Sequence, residues 1–203
     1  ETDIIHLNTN AYFHDATFFK NGKGRKVTAR DVEFTFLNLY SSVKDDYVYR
    51  FFLKDLIEGG DEFRNAILRG EKPESISGIK VIDDSTISIK LKRPFPDFVY
   101  YLAHPIFSIL PREGVETLGE NLTVGAGPFI LNKFDKSKKE IILIRNPNYF
   151  DADSLGNQLP FLDTVKITAY ESVKEAVDSF VNGRIDILKG IPESVIKDLV
   201  TQR

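Results

Sequence analysis

The 203-residue sequence contains no cysteine, no methionine and no tryptophan. The absence of cysteine excludes disulfide bonds, thiolate metal sites and a cysteine nucleophile. Because an initiator methionine is missing, we expect the chain to be a large fragment of a longer protein. With 42% hydrophobic residues, it still has enough apolar side chains to form one core or two small ones.

Long apolar runs and a strong excess of one charge are also absent. The formal net charge is -3, from 27 basic and 30 acidic residues that are interspersed. This balance gives no field that would concentrate a polyanion, so we expect no nucleic-acid partner. No apolar run approaches the length of about 18 residues that a membrane span needs, and no signal peptide is recognisable.

The motifs of metal sites and nucleophilic sites are missing as well. His6, His14 and His104 lie far apart in the sequence and form no HExxH pattern. The serines lack a G-x-S-x-G elbow, and Gly125-Ala-Gly-Pro lacks the Lys-Ser/Thr of a phosphate-binding loop. We therefore expect no metal site, no cofactor and no nucleophilic catalysis. His104 is interpreted as a hydrogen-bonded core or edge residue.

Acidic pairs are the remaining candidates for catalysis. Asp83 and Asp84 are adjacent, and Asp151 and Asp153 are separated by one residue. Paired carboxylates can perform acid/base chemistry, so a carboxylate-dependent hydrolase is kept as an alternative from a different functional class. Turns also favour aspartate, and a turn is the preferred interpretation of both pairs. An acidic pair exposed in a turn would count against the hydrolase.

Residues 20–26 form a basic run, which we interpret as a solvated loop. The signals of a helix follow it. Thr28 and Asp31 resemble a capping box, and the apolar residues after them predict a helix at residues 29–40. Glycine or proline near the ends of three further segments marks shorter helices. These are expected at residues 61–68, 97–103 and 111–119.

Alternating apolar residues predict two β-hairpins. The first covers residues 78–92, with its turn at Asp83-Asp84-Ser85. The second pairs residues 129–134 with 140–145. Residues 146–160 are rich in Asn, Pro, Asp and Gly, and we interpret them as a long connection between two subdomains.

The last forty residues predict a strand, a helix and a second strand. Residues 165–169 alternate as a strand, Ser172 caps an amphipathic helix that Gly183 ends, and residues 185–188 alternate again. Two strands joined by a helical crossover form a βαβ unit, which requires the strands to be parallel. The sequence therefore predicts part of a parallel sheet.

Short motifs, in order along the chain, resemble the family of oligopeptide, dipeptide and nickel ABC-transporter substrate-binding proteins. They are Lys26-Val-Thr-Ala-Arg-Asp-Val-Glu-Phe-Thr-Phe, Gly78-Ile-Lys-Val-Ile-Asp-Asp-Ser-Thr-Ile with Leu91-Lys-Arg-Pro-Phe-Pro, Ile109-Leu-Pro-Arg-Glu, Gly125-Ala-Gly-Pro-Phe, Ile144-Arg-Asn-Pro-Asn-Tyr-Phe, Leu162-Asp-Thr-Val and Val181-Asn-Gly-Arg-Ile-Asp-Ile. Each motif alone is common, but their shared order covers nearly the whole chain. The resemblance therefore rests on the series of motifs.

The resemblance implies a two-lobed cleft binder with a periplasmic-binding-protein-like fold of mixed α+β and α/β class. It implies that residues 1–150 are an accessory α+β subdomain of the first lobe. Residues 151–203 would return to the main lobe with the βαβ unit, and the second lobe would be absent from this chain. The parallel pairing of the two C-terminal strands is the structural test of this resemblance.

The function implied is that of a non-enzymatic, substrate-binding component of an ABC importer. Such a protein binds oligopeptides or dipeptides in the interlobe cleft and delivers them to the permease subunits. It would be a monomeric periplasmic protein or cell-surface lipoprotein, associated with the membrane only through the permease or a lipid anchor outside this chain. Nickel chelates and oligosaccharides are the alternative ligands. We expect weak or no ligand binding by these 203 residues alone.

Aromatic residues and one strand end supply the candidate ligand contacts. Aromatic side chains are enriched in pockets, and here Tyr47 and Tyr49 of the accessory subdomain are the selected candidates. Lys189 and Gly190 are selected because they follow the second parallel strand, and open α/β sheets place ligands at such strand ends. For Lys189, an ordinary exposed lysine is the competing interpretation. Further aromatic candidates for a pocket wall are Phe95, Phe98, Tyr100 and Tyr101.

Overall fold

The computed structural model describes residues 1–42, 46–193 and 195–196. The chain forms two compact units that are interleaved along the sequence. Unit 1 comprises Glu1–Ile130 and Arg145–Asp163, and unit 2 comprises Leu131–Ile144 and Thr164–Arg203. The predicted assignment of residues 1–150 and 151–203 to parts of a larger lobe stays a prediction. In the described ranges, no helix is both long and apolar enough to cross a membrane.

An antiparallel three-stranded sheet forms one side of unit 1. Its strands are β1 (Thr2–His6), β2 (Ile79–Asp83) and β3 (Thr86–Lys90), with β3 in the centre. Ile87 of β3 lies opposite Ile5 of β1 in the pairing register. The predicted hairpin of β2 and β3 is confirmed, whereas β1 was not predicted, because its five residues alone carry no turn or partner signal.

The longest helix, α1 (Ala29–Ser41), begins and ends within one residue of its predicted bounds. The Asp31 carboxylate accepts hydrogen bonds from the backbone N–H and the hydroxyl of Thr28, both at 2.9 Å, and the capping box is formed. Phe36 and Tyr40 of this helix are buried in the core. The apolar face predicted from the sequence therefore packs as expected.

Shorter helical segments connect α1 with the rest of unit 1. They are α2 (Asp46–Val48), a π-helical turn (Tyr49–Leu53), α3 (Gly60–Leu68), α4 (Phe98–Leu102) and α5 (Arg112–Leu118), with 3-10 turns at Lys20–Gly22, Pro105–Phe107 and Gly119–Asn121. The three predicted short helices correspond to α3, α4 and α5. Their existence is confirmed, and no end differs from its predicted position by more than one residue.

The main core of unit 1 lies between α1, the π-helical turn, α3 and the sheet. Its fully buried members include Tyr40, Leu53, Ile57, Ile76 and Ile87. Burying each such side chain stabilises the fold by about 1.5–3 kcal/mol. A separate small cluster of Phe13, Phe19 and Val27 lies under the N-terminal segment.

The second sheet contains β4 (Phe129–Asp135), β5 (Glu140–Arg145) and β6 (Thr164–Thr168) in that order. The predicted strands at 129–134 and 140–145 are confirmed. Helix α6 (Val173–Val181) follows β6, and the Ser172 hydroxyl accepts a hydrogen bond from the backbone N–H of Glu175 at 3.2 Å. The predicted cap of this helix is therefore present.

The predicted βαβ unit is wrong for the described residues. Strand β6 pairs with β5, and the pairing is antiparallel. Residues 185–188 form no strand, and Ile187 is 79% exposed. Alternation of apolar residues specifies a strand only where a neighbouring strand supplies backbone hydrogen bonds, and no described strand pairs with this segment. The mixed α and β class of the fold is confirmed, but its parallel part is not observed.

Candidate ligand-binding residues

Tyr47 lies on α2 and presents most of its side chain to solvent, with 60% of its surface exposed. Its ring centroid is 4.5 Å from that of Phe51 and 6.3 Å from that of Phe52. Tyr47 and Phe51 are exposed and Phe52 is partly buried against the core, so the three rings form a partly exposed aromatic surface. Such a surface can stack on a ligand and contribute one polar hydroxyl.

Tyr49 lies two residues further on and has a different environment. Its hydroxyl donates a hydrogen bond to the Asp61 carboxylate at 2.7 Å, and the Arg64 guanidinium lies 4.2 Å from its ring centroid. Burial makes the largest contribution to raising the pKa of the Tyr49 hydroxyl, and the hydrogen bond to Asp61 raises it further. Tyr49 therefore ties the π-helical turn to α3, and its predicted contact with a ligand stays a prediction.

Asp61 is the centre of a small polar network that the sequence did not reveal. Besides the bond from Tyr49, its carboxylate accepts hydrogen bonds from Lys92 Nζ at 2.6 Å and from the backbone N–H of Asp55 at 3.3 Å. Burial alone would raise its pKa, but the bonds from Lys92 and Tyr49 outweigh it and hold the pKa of Asp61 below 3.8. The carboxylate stays ionised and joins three segments of unit 1.

The other aromatic candidates divide between the core and the surface. Phe98 is buried, whereas Tyr100 is exposed. The Tyr101 hydroxyl donates to the backbone carbonyls of Phe51 and Phe52 at 3.2 and 3.1 Å. Tyr101 therefore holds α4 against the π-helical turn. Phe95 lies 5.3 Å from the Tyr101 ring, centroid to centroid.

Lys189 and Gly190 lie in an irregular segment of unit 2, and both are exposed. Gly190 has a φ of +71°, a left-handed conformation that glycine adopts without strain. The strand expected before them is not formed in the described residues, so they do not follow a strand end there. Their contact with a ligand stays a prediction that rests on the resemblance alone.

The three histidines make separate structural contacts. His6 Nδ1 is 3.2 Å from the Thr86 hydroxyl, and His14 Nε2 is 2.9 Å from the carbonyl oxygen of Gly127. His104 is exposed, and its Nδ1 accepts a hydrogen bond from the backbone N–H of residue 106 at 3.2 Å. Within the described residues, no group of three or more His, Cys, Asp or Glu side chains could hold a metal ion.

The acidic pairs lie at the end of β2 and in a loop, and their carboxylates accept local hydrogen bonds. Asp153 accepts from the backbone N–H groups of Leu155 and Asn157 at 2.9 and 2.8 Å and from the Asn157 amide at 2.9 Å. These bonds lower the pKa of Asp153, so its carboxyl group stays ionised rather than serving as a general acid. Asp83 likewise accepts from the backbone N–H of Ser85 at 2.7 Å. This geometry is that of turns, and it removes the support for a hydrolase.

Arg25 forms a charged cluster in unit 1, and the interpretation of residues 20–26 as a solvated loop is wrong for this residue. Its guanidinium donates to the Asp31 carboxylate at 2.7 and 2.8 Å and to the Glu113 carboxylate at 2.7 and 2.8 Å. Asp31 is buried. The cluster joins the N-terminal segment, α1 and α5. No local pattern predicts it, because Glu113 lies 88 residues away in the sequence.

Comparison with known proteins gives a family. Residues 2–203 match the family model described as bacterial extracellular solute-binding proteins, family 5 Middle. The periplasmic oligopeptide-binding protein OppA of Salmonella typhimurium is 31% identical over 164 residues, which are 78% of this chain and 28% of that protein. The chain thus spans less than a third of the length of this relative.

Solved structures show the same fold. A periplasmic oligopeptide-binding protein of Borrelia burgdorferi superposes with a TM-score of 0.79 and 25% identity, over 98% of this chain and 37% of the other. Haemophilus influenzae OppA in complex with the peptide RPPGFSPFR gives a TM-score of 0.77 and 24% identity, over 100% of this chain and 37% of the other. Together with the match to the family model over residues 2–203, this likeness shows that the chain belongs to the bacterial extracellular solute-binding proteins of family 5.

Proposed function

We propose that the protein containing these 203 residues is the substrate-binding component of an ABC importer and that its ligands are oligopeptides or dipeptides. The observation that carries this proposal is the match to the family over residues 2–203, together with 31% identity to an oligopeptide-binding protein. The family and the relatives are binding proteins, so the protein acts by binding and release rather than by catalysis.

The mechanism follows from a ligand held between two lobes. Closure of the lobes is favoured only by contacts that the ligand makes in the closed state, so the bound peptide shifts the population towards that state. The closed form then docks on the permease subunits and releases the peptide. In this scheme the present chain supplies part of the first lobe, and the rest of the cleft comes from the remainder of the protein.

Tyr47 is the residue of this chain that best suits a contact with the peptide. Its exposed ring stands beside Phe51 and Phe52 and needs no rearrangement of the core to meet a ligand. Lys189 and Gly190 are proposed as further contacts through a charge and an accessible backbone N–H. Tyr49 stabilises the π-helical turn that carries Phe51 and Phe52, because its hydroxyl is bonded to Asp61 of α3.

We further propose an extracytoplasmic location, with a lipid anchor or the permease as the only link to the membrane, and a monomeric state. The periplasmic location of the Salmonella relative supports this proposal. Nickel chelates and oligosaccharides are the competing ligand classes, because the roomy pockets of binding proteins can accept different chemistry on one fold.

Calorimetry on the natural full-length protein tests the proposal. Short peptides with free termini should bind, and Tyr47→Ala should weaken their binding by about tenfold, the effect of one lost aromatic contact. Tyr12→Ala is the control, since Tyr12 is also an exposed tyrosine of unit 1. Binding of a nickel chelate or an oligosaccharide in place of peptides would overturn the choice of ligand.

A further inference from the structure

A buried histidine of unit 1 holds the glycine-rich loop of residues 125–128, which leads into β4. His14 is only 6% exposed. Its backbone N–H donates to the carbonyl of Gly125 at 2.7 Å, and its ring nitrogen Nε2 is 2.9 Å from the carbonyl oxygen of Gly127. One residue therefore fixes the loop to the N-terminal segment at two points.

Asn146, which follows β5, holds the same loop. Its side-chain Nδ2 donates to the carbonyl of Gly127 at 3.0 Å, and its backbone N–H donates to the carbonyl of Pro128 at 2.8 Å. The backbone N–H of Asn148 donates to Asn146 Oδ1 at 2.9 Å, which fixes the orientation of the Asn146 amide. A carbonyl oxygen has two lone pairs, so the bonds from His14 and Asn146 satisfy the Gly127 carbonyl completely.

The loop has little other support. A Cβ atom at Gly125 or at Gly127 would meet no atom within 4 Å, so no neighbouring group packs closely against the backbone there. Glycine also has the most conformational freedom to lose when a loop is fixed. The chain leaves unit 1 after Ile130 and returns to it at Arg145. His14 and Asn146 therefore hold the loop close to the point where the chain leaves and re-enters unit 1.

The hydrogen bonds determine which ring nitrogen of His14 carries the proton. A carbonyl oxygen can only accept, so Nε2 of the neutral ring is the donor to Gly127 and Nδ1 carries a lone pair. Nδ1 is buried and has no hydrogen-bond partner among the residues that the structure describes. A second proton would therefore lie on Nδ1 at a buried position without an acceptor, and burial disfavours the charged form of histidine.

The charged groups of the neighbouring segments are bonded to one another. These groups are Asp15 with Lys23, Arg25 with Asp31 and Glu113, and Arg145 with Asp163. Lys20 and Lys26 are exposed, and as cations they could not stabilise a second positive charge. Within the described ranges, no carboxylate is bonded to His14, so none stabilises a protonated ring in the closed loop.

We infer that His14 is a pH-sensitive switch, which holds residues 125–128 closed while its ring is neutral and releases them when the ring takes up a second proton. The open loop gives Nδ1 access to water, so the proton is taken up in the open state. Opening should therefore become more favourable as the pH falls below the ordinary pKa of histidine, about 6.5. Above that pH the ring is neutral in both states, and the contact has its full strength. The inference does not depend on the proposed transport function.

Amide hydrogen exchange of the natural full-length protein, followed by mass spectrometry of peptic fragments, tests this inference. Between about pH 7 and about pH 5, histidine is the side chain that ordinarily changes its charge. Hydrogen bonds from Lys23 and Arg25 hold the pKa values of Asp15 and Glu113 below their ordinary values, so these carboxylates stay ionised in this range.

The expected result is a local loss of protection in acid. After correction for the intrinsic pH dependence of exchange, the opening constant of the fragments that contain His14 and Asn146 should rise by about tenfold per pH unit below about pH 6, because opening takes up one proton. Fragments of α1 should keep their protection over the same range. Loss of protection in α1 at the same pH would overturn the inference, since it would show global unfolding by acid.

A matched pair of variants locates the effect. In His14→Gln, the side-chain amide can still donate to the carbonyl of Gly127 but cannot take up a proton, so the rise in opening should be lost. His104→Gln is the control, because His104 is exposed and bonds only to a backbone N–H near it in sequence. This control should keep the full rise. Far-UV circular dichroism checks that both variants are folded.

A second measurement needs no variant. The C2 hydrogen of histidine exchanges with solvent through the protonated ring, so its rate, followed by mass spectrometry, reports whether the ring can take up a second proton. This exchange should be slower in His14 than in the exposed His104. Equal rates, a rise in opening that persists in His14→Gln, or protection at His14 and Asn146 that does not depend on pH would each overturn the inference. Normal binding of peptides would leave the proposed transport function standing in each case.

Discussion

Unit 1 and unit 2 contain similar sequence patterns but differ in how much apolar surface they bury. In the described residues, the buried hydrophobic side chains all belong to unit 1, except Ala176 of α6. Ile167 of β6 and Val181 of α6 are substantially exposed, although both lie on apolar faces of regular elements. The difference shows that an amphipathic pattern forms an element locally, whereas stability comes from the partner that covers its apolar face.

Two isoleucines on strands give the largest expected contrast between the units. Ile87→Ala in β3 removes a side chain with 0% exposure and should lower the free energy of unfolding by about 3 kcal/mol. Ile167→Ala in β6, where the side chain is 49% exposed, should cost about 1 kcal/mol or less. Urea denaturation followed by far-UV circular dichroism measures both. Equal costs would show that the burial of these two side chains does not govern stability.

Charged pairs extend the comparison. Arg25→Gln leaves the buried Asp31 carboxylate without its cationic partner and should destabilise unit 1 by about 2 kcal/mol. Lys139→Gln breaks the exposed pair with Glu171 in unit 2 and should cost about 0.5 kcal/mol or less. The same denaturation experiment checks both values. A larger loss for Lys139→Gln than for Arg25→Gln would contradict the assignment of Arg25 as a structural link.

Two tyrosines, one in each unit, should also differ in their contribution to stability, but by a smaller free energy. Tyr49→Phe removes the hydroxyl that donates to Asp61 and should destabilise the protein by about 1 kcal/mol. Tyr170→Phe in unit 2 is the matched control, because its hydroxyl has no hydrogen-bond partner within the described ranges. Thermal unfolding compares the variants, and no difference between them would mean that the Tyr49 bond contributes nothing to stability.

The pH dependence that Glu113 gives to unit 1 is the smallest expected effect. Hydrogen bonds from Arg25 hold the pKa of Glu113 below its ordinary value of 4.5. Its contribution to the free energy of unfolding is therefore present above about pH 4.5 and is lost as the pH falls through the lowered pKa. Because Glu113 is partly exposed, this contribution should be under about 1 kcal/mol.

Glu113→Gln tests this pH effect. The variant should be less stable than the unchanged protein at neutral pH, and the difference should shrink as the pH falls to about 3. A difference that stayed constant between the two pH values would contradict the role of the Glu113 charge.

The elements predicted from the sequence are those whose signals lie close together in the chain. The capping box of Thr28 and Asp31, the hairpin of β2 and β3, and the Ser172 cap are all local, and the structure contains them. Strand β1 and the bond from Arg25 to Glu113 join residues far apart in sequence, and a single sequence carries no signal for such pairs.

The expected parallel pair of C-terminal strands is an element that the sequence predicts but that the described residues do not form. Residues 185–188 have the alternation of a strand, but the described chain provides no neighbouring strand for them. The antiparallel pairing of β6 does not exclude the family, which the match over residues 2–203 shows. A pattern of side chains can thus identify relatives even where the secondary structure it suggests is not formed.

The candidate site could be predicted only in part. Its residue type makes Tyr47 a candidate, and its side chain lies on a partly exposed aromatic surface. The contacts that hold this surface in place, from Tyr49 to Asp61 and from Tyr101 to the carbonyls of Phe51 and Phe52, join separate elements, and no local pattern predicts them.

Native mass spectrometry of the natural full-length protein, purified without unfolding, tests the central claim most directly. We predict a set of masses above that of the empty protein, and fragmentation of the bound species should yield short peptides. A protein that carries no peptide, and that binds nickel chelates or oligosaccharides but no added peptide, would contradict the proposed function while leaving the family unchanged.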